Sequence, residues 1–255
     1  MKSSLGILVL FILISSQSLA QGVVQLLHTG DELYASLKTE EALRWYHHAY
    51  DIAPRESKTL IRLVRAYGDL GWLHLRKDSS SQSNYLQAAA FAETLLTVEP
   101  TKAEAHFWFA MAKGSLIPFV STSEKIHIGK DVRFHAEKAI EIDSTYSYAY
   151  VILAIFEREE AKLSWLERVI ARIVFGGELN GSLTRSEELL FKALKYDRNS
   201  TYAYFELSRT YNTMGRKEDS IASLKKVIDL PVSSQREERQ RQNAARFLAR
   251  LQSAE

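Results

Sequence analysis

An all-α, right-handed helical-repeat solenoid is the fold class this sequence predicts, on three observations. Apolar residues recur at three- and four-residue spacing through most of the chain, and alternating runs are few. Only 11 glycines and 4 prolines interrupt the 255 residues. Three of those prolines, Pro54, Pro100 and Pro231, each close a helical segment ("HHAYDIAP", "LLTVEP", "KVIDLP"), and these segments are similar to one another. Proline disfavours helical geometry in the residue before it, so each marks a helix end. Similar segments ending in the same way point to an internal repeat.

The first twenty residues differ in kind. Lys2 precedes the apolar run "LGILVLFILI", and "SQSLA" follows with small residues at Ser18 and Ala20. A basic start, a short apolar stretch and a small-residue cleavage site are the parts of a secretory signal peptide. The expectation is that residues 1–20 are removed near Ala20 and that 21–255 form one domain, exported to a periplasm or beyond. The alternative is an uncleaved N-terminal membrane anchor.

The repeats follow. The last copy, "STYAYFELSRTYNTMGRKEDSIASLKKVIDLP", resembles a tetratricopeptide repeat. Tyr204, Leu207, Ser208, Tyr211 and Gly215 fill its first helix and turn, and Ser220, Leu224, Val227 and Pro231 fill its second. Small residues let two helices approach, and large ones fill the holes of the neighbour. Weaker copies precede it. "EEALRWYHHAYDIAP" supplies Ala42, Tyr46 and Ala49 behind a first helix near 23–37. "TLIRLVRAYGDLGW", with Gly71 read as its turn glycine, precedes "QAAAFAETLLTVEP". "AEAHFWFAMAKG" pairs with "VRFHAEKAIEID", and "YSYAYVILAIFE" pairs with "SEELLFKALKYD". About five helix pairs result. "SQREERQRQNAARFLARLQ" then carries Ala244, Phe247, Leu248 and Leu251 on one side, the pattern of a capping helix.

Three segments exceed the repeat spacing. "RKDSSSQSNY" reads as a polar loop. "GSLIPFVSTSEKIHIGKD" and "LSWLERVIARIVFGGELNGSL" are apolar and must bury their surface. Ile117, Phe119, Trp165, Leu166, Ile170 and Ile173 would therefore roof or fill the concave face. In tetratricopeptide folds the first helix of each pair lines that face. The groove positions are then Leu27, Tyr34, Ile61, Arg65, Asp69, Phe107, Met111, Tyr148, Val151, Ile155, Arg158, Tyr202, Phe205, Arg209 and Asn212. So many apolar and aromatic side chains need covering, because each is worth about 1.5–3 kcal/mol when buried.

Composition excludes more than it names. A formal net charge of +2 gives no bulk drive toward nucleic acid. The chain has no cysteine, so disulfides, thiolate catalysis and cysteine metal sites are out. It carries no phosphate-binding glycine loop, no His-Glu-x-x-His and no Gly-x-Ser-x-Gly. His47 and His48 are adjacent and point to different sides of a helix, so they make no metal face. His127 and His135 read as surface or packing histidines, and Glu157, Glu159 and Glu160 as a solvated helix face. Arg168 and Arg172 share a face that could clamp an anion, but ordinary solvation is the better reading of them. No cofactor, metal or catalytic residue is expected.

A more specific resemblance rests on the ordered set "HFWFAMAKG", "HAEKAIEID", "LSWLERVIARIVFGG", "FKALKYD" and the last repeat, with "EEALRWYHHAY" upstream. Together these resemble the regulator of microtubule dynamics protein family, from about Ala103 to Glu238. The resemblance implies an all-helical domain without enzymatic activity that acts as an adaptor for a protein or peptide. Its signal-like N-terminus departs from the family's eukaryotic members and points to an exported bacterial relative. A carrier of a lipid or other small apolar ligand, held in a groove under the insertions, is the alternative.

Overall fold

The computed structural model describes residues 20–73, 79–164 and 181–253. Every regular element among them is a helix. Helix α1 covers residues 20–35. It is followed by α2 (Thr39–Ile52), α3 (Ser57–Leu73), α4 (Ser79–Val98), α5 (Ala103–Gly114) and α6 (Thr122–Ile142). Then come α7 (Ser147–Ala161), α8 (Leu183–Tyr196), α9 (Thr201–Thr213), α10 (Lys217–Asp229) and α11 (Gln235–Ser253). A 3-10 turn, Ile117–Phe119, lies between α5 and α6. The helices pair in sequence, α1 with α2 through α9 with α10, and α11 caps the last pair. This is the expected helical-repeat solenoid. No helix among the described residues is long and apolar enough to cross a membrane.

The last pair shows why the sequence folds this way. Leu207, Ser208, Ser220, Leu224 and Val227 of α9 and α10 are all buried. The Ser220 hydroxyl donates to the Ser208 carbonyl at 2.9 Å, a contact that only small residues on both helices allow. Gly215 ends α9 at φ 76°, and the Arg216 N–H folds back to the Tyr211 carbonyl at 2.9 Å. That is the left-handed helix stop which glycine adopts without steric cost. The cap then buries Ala244 against Leu224 and Val227, with Phe247, Leu248 and Leu251 packed beside them.

Gly71 has a different job from the turn expected of it. It lies inside α3, where an added Cβ would sit 2.6 Å from the Tyr85 ring of α4. Gly30 meets Tyr46 in the same way, at 2.4 Å. In both pairs a tyrosine of the second helix lies flat on a glycine of the first.

Two of the expected insertions are absorbed as helix. The polar stretch from Ser79 to Asn84 belongs to α4 and extends its N-terminus. In the third pair, Ser121 accepts from the Glu124 N–H, and Glu124 accepts from the Ser121 N–H. This reciprocal cap starts α6 ten residues before the expected Val132. Phe119 packs against Tyr85 and near Leu116, within the core between α4 and α5. The third insertion, with Trp165, Leu166, Ile170, Ile173, Arg168 and Arg172, lies outside the described residues, as does the expected signal peptide up to residue 19.

The first helices of successive pairs touch one another, α3 with α5, α5 with α7 and α7 with α9. They therefore line one side of the solenoid. Helix α11 leaves the last pair and reaches back across that side to α3.

Candidate functional site

Helix α11 divides the inner side into two cavities. Its first turn enters among α1, α3, α5, α7 and α9 and encloses an inner space of about 310 Å³. Tyr34, Ile61, Arg65, Phe107, Met111, Tyr148 and Tyr202 line it, as the repeat register predicts. Asp69 lines it too, as that register also predicts, and they are joined by Glu104, Trp108, Tyr146, Asp197 and, from α11, Arg236, Glu237 and Gln240.

The inner cavity is a polar latch more than an apolar groove. Arg236 sets its Nε 2.7 Å from Asp69, which is 2% exposed. The Tyr34 hydroxyl donates to the other carboxylate oxygen of Asp69. Arg236 also donates to the Gly68 carbonyl at 3.4 Å and stands 5.9 Å over the Trp72 ring. Beside it, the Gln235 amide donates to the Leu37 carbonyl at the end of α1. Burial raises the Asp69 carboxyl above its ordinary range, opposed by Arg236 and Tyr34. Burial, with Asp69 adding to it, keeps the Tyr34 hydroxyl protonated. The Arg65 guanidinium lies 4.0 Å over the Tyr34 ring, and 3.7 Å from Asp31. Phe107, Tyr146 and Tyr148 close the far wall, with ring centroids 5.4 to 6.2 Å apart.

The outer cavity is larger, about 960 Å³, and opens between α7, α9 and the second half of α11. Arg158, Phe205 and Arg209 line it, as does Asn212. Its floor carries a buried ion pair. Arg158, 1% exposed, gives one N–H to Glu206 at 2.7 Å and another to the Glu206 carbonyl at 3.1 Å. Glu206 also receives Arg209 at 3.3 Å. Glu159 draws in Arg158 at 3.2 Å, Lys162 at 2.7 Å and Arg209 at 3.9 Å. Burial works against the Glu159 charge, but those three cations hold its carboxyl below the ordinary range. On α11, Asn243, Arg246, Phe247 and Arg250 face the same space. Trp72 completes the aromatic part.

Three expected groove residues line neither cavity. Leu27 is buried between α1, α2 and α3, and Val151 is fully buried against α8 and α9. Ile155 packs on the same cluster as Val151. Neighbouring helix positions turn by about a hundred degrees, so a small phase error moves a side chain from groove to core. Ile117 and Phe119 do not roof the inner side either. Phe119 finds its apolar partners in α4 and α5 instead. The cover expected of the insertions is supplied, among the described residues, by α11.

The lining residues that sequence reasoning missed include those of α11, with Trp72, Lys162 and Thr213 in the outer cavity and Glu104, Trp108, Tyr146 and Asp197 in the inner one. A signal for those of α11 was present. Asn243, Arg246, Phe247 and Arg250 fall at i, i+3, i+4 and i+7, which is one helix face. That face was read only through its apolar members. Nothing in the local sequence announces that Arg236 pairs with a residue 167 positions earlier. No group of three His, Asp or Glu among the described residues converges to hold a metal.

The sequence pattern of the family described as regulator of microtubule dynamics protein 1-3 matches residues 26–252. The chain is 26% identical over 173 residues to regulator of microtubule dynamics protein 3 of Mus musculus, covering 68% of this chain and 37% of that protein. It is 24% identical over 230 residues to protein 1 of Bos taurus, covering 89% of this chain and 71% of the relative. It thus spans little more than a third of the first relative's length. Among solved structures it is similar to a thermophilic tetratricopeptide protein of Thermus thermophilus, with a TM-score of 0.64 at 16% identity. That match covers 89% of this chain and 99% of the other. The type IV pilus biogenesis factor PilW gives a TM-score of 0.51 at 16% identity, over 91% of this chain and 92% of that one. The structural likenesses bear on the fold, and the family match runs through all five helix pairs and the cap: the chain belongs to the regulator of microtubule dynamics protein family.

Proposed function

We propose that this chain is a non-enzymatic adaptor that holds a segment of a partner protein in the outer cavity on its inner side. The carrying observation is the cavity itself. Among the described residues, about 960 Å³ of space is bounded by α3, α7, α9 and α11 and lined by the rings of Trp72, Phe205 and Phe247. A monomer that leaves aromatic faces in an open cleft of this size offers a place for an apolar anchor. The inner cavity does not compete for this role, because Arg236 reaches into it and is paired there with Asp69. The relatives are regulators by name, which supports an adaptor over an enzyme. Export of the chain remains part of this proposal, and N-terminal sequencing of the mature protein tests it.

Asn212 and Thr213 are exposed residues on the cavity wall. Asn212→Trp and Thr213→Trp should obstruct the cavity and leave the core packing intact. The expected result is loss of a purified partner's binding in both variants with unchanged melting temperatures. Undiminished binding in both would place the partner elsewhere. A lipid that co-purifies with the wild type in native mass spectrometry and is absent from both variants would favour the apolar-ligand carrier instead.

A further inference from the structure

We infer that the segment taken by the outer cavity is acidic, with carboxylates flanking an aromatic or apolar anchor. This rests on the proposed function and names the class of partner. Three helices bring five cations to one space: Arg158 and Lys162 from the end of α7, Arg209 from α9, and Arg246 and Arg250 from α11. No carboxylate lines the cavity among the described residues. Glu206, buried, and Glu159, 45% exposed, are shared by Arg158, Lys162 and Arg209. Two negative charges against five positive ones leave an excess of three at this site. The whole chain carries only +2. Among the described residues, the local excess at this site is thus larger than the net charge of the whole chain.

Two of those three charges sit on Arg246 and Arg250. Both are exposed, and neither has a carboxylate within ion-pair distance among the described residues. They stand one helical turn apart on α11, an arrangement that is mildly unfavourable for like charges. Arg250 leans over the Phe247 ring at 5.5 Å, which joins the charge to the aromatic floor. A guanidinium fork is built to take a carboxylate with two parallel hydrogen bonds. Asn212, Thr213 and Asn243 add neutral groups able to meet a peptide backbone.

The lining favours a peptide over an anionic lipid. Its apolar part consists of three aromatic rings and Ala249, with no Leu, Ile or Val among the described residues. Such a floor takes a single ring or short side chain and does not enclose an acyl chain. The near-neutral chain as a whole does not favour a polyanion such as nucleic acid.

The test uses a short fluorescent peptide with Asp and Glu on both sides of one Phe, its Asn/Gln isostere, and vesicles of anionic phospholipid. Anisotropy should show binding of the acidic peptide and at least about tenfold weaker binding of the isostere. Arg246→Glu with Arg250→Glu should weaken the acidic peptide about tenfold or more, whereas Lys225→Glu on the outer helix α10 should not. Raising ionic strength from about 0.01 M to 0.15 M, which shortens the screening length from about 30 to 8 Å, should also weaken it. Equal binding of peptide and isostere, both blocked by Thr213→Trp, would overturn the acidic reading and leave the adaptor reading standing. Acidic-peptide binding that Thr213→Trp leaves untouched would remove the cavity as the site and overturn both. Binding of vesicles without binding of either peptide would overturn the inference in favour of a lipid.

Discussion

His106 and His135 face each other across α5 and α6 with their Nδ1 atoms 2.7 Å apart. His106 Nε2 lies 3.0 Å from the Pro100 carbonyl, which can only accept. His106 therefore carries its proton on Nε2, its Nδ1 accepts, and the His135 Nδ1–H donates. The sequence made His135 look like a surface or packing residue, and only the fold shows that it shares a hydrogen bond with His106. Burial first, then the neighbouring His106, pushes the His135 ring below its ordinary value, with Asp131 opposing. The unfolded chain thus binds a proton that the folded one declines. Stability from this site is complete above about pH 6.5 and falls below it until the folded value is reached. Glu160 acts with the opposite sign. Burial first, with Glu157 adding and Arg133 opposing, lifts its carboxyl to about 7. The folded chain keeps a proton that the unfolded one releases, so stability is lost as pH rises from the ordinary carboxylate value toward 7. Glu160 was read from sequence as solvated, yet it is only 6% exposed. The prediction separates the two. In thermal melts, His135→Asn should gain on the wild type near pH 5.5 and not near pH 8, and Glu160→Gln should gain near pH 8 and not near pH 5.5. Parallel pH profiles for all three proteins would remove both sites from the balance.

Helices are the scale at which the sequence was most legible, because their apolar period and their terminating prolines are local signals. Their ends were less so. Ser79 to Asn84 is a run of poor helix formers, and it joins α4 because Ser81 and Tyr85 are buried there. Tertiary packing overrides propensity in that turn. The Ser121–Glu124 capping box was readable in principle, but the apolar residues around it drew the eye to burial instead. Leu37 is the clearest departure from local rules. It ends α1 at φ 63°, and the Lys38 N–H returns to the Leu33 carbonyl at 2.9 Å. This is the stop that Gly215 makes at the end of α9, built on a residue with a Cβ. The left-handed conformation costs a leucine about 1–2 kcal/mol. Glycine would relieve that cost and give back part of it through the freedom of the unfolded chain. Leu37→Gly should therefore raise stability by about 0.5–1 kcal/mol. Gly215→Ala should lower it by about 1 kcal/mol. Urea unfolding of the two variants measures both, and a destabilised Leu37→Gly would mean that the leucine side chain contributes more by packing than its backbone costs.

At the scale of the whole molecule, the repeat register told which helix faces turn inward but not what closes them. Eight of the expected groove residues line the inner cavity. Periodicity fixes a side chain's direction relative to its own helix, and that is local. Closure depends on how far the solenoid has turned after five pairs, and that is the sum of every packing angle along the chain. Small angular differences accumulate, so no short window of sequence holds the answer. Here the turn brings Arg236 to Asp69, and a helix expected to shield only the last pair also ties the end of the chain to its first two pairs. The tie has a testable energetic consequence. Breaking a buried ion pair by removing one partner costs about 3–5 kcal/mol, because the other charge is left without compensation. Asp69 is 2% exposed, but Arg236 is 23% exposed and partly solvated, so Arg236→Met should fall at or below the lower end of that range. Asp69→Asn combined with Arg236→Met removes the stranded charge and should recover most of the loss, since the Tyr34 hydroxyl can still donate to the asparagine oxygen. In hydrogen exchange, the single variant should lose protection in α3 and in the first turn of α11 together, although 167 residues separate the paired side chains. Loss confined to α11 would show that the cap is held by α10 alone and that the first pairs stand independently of it.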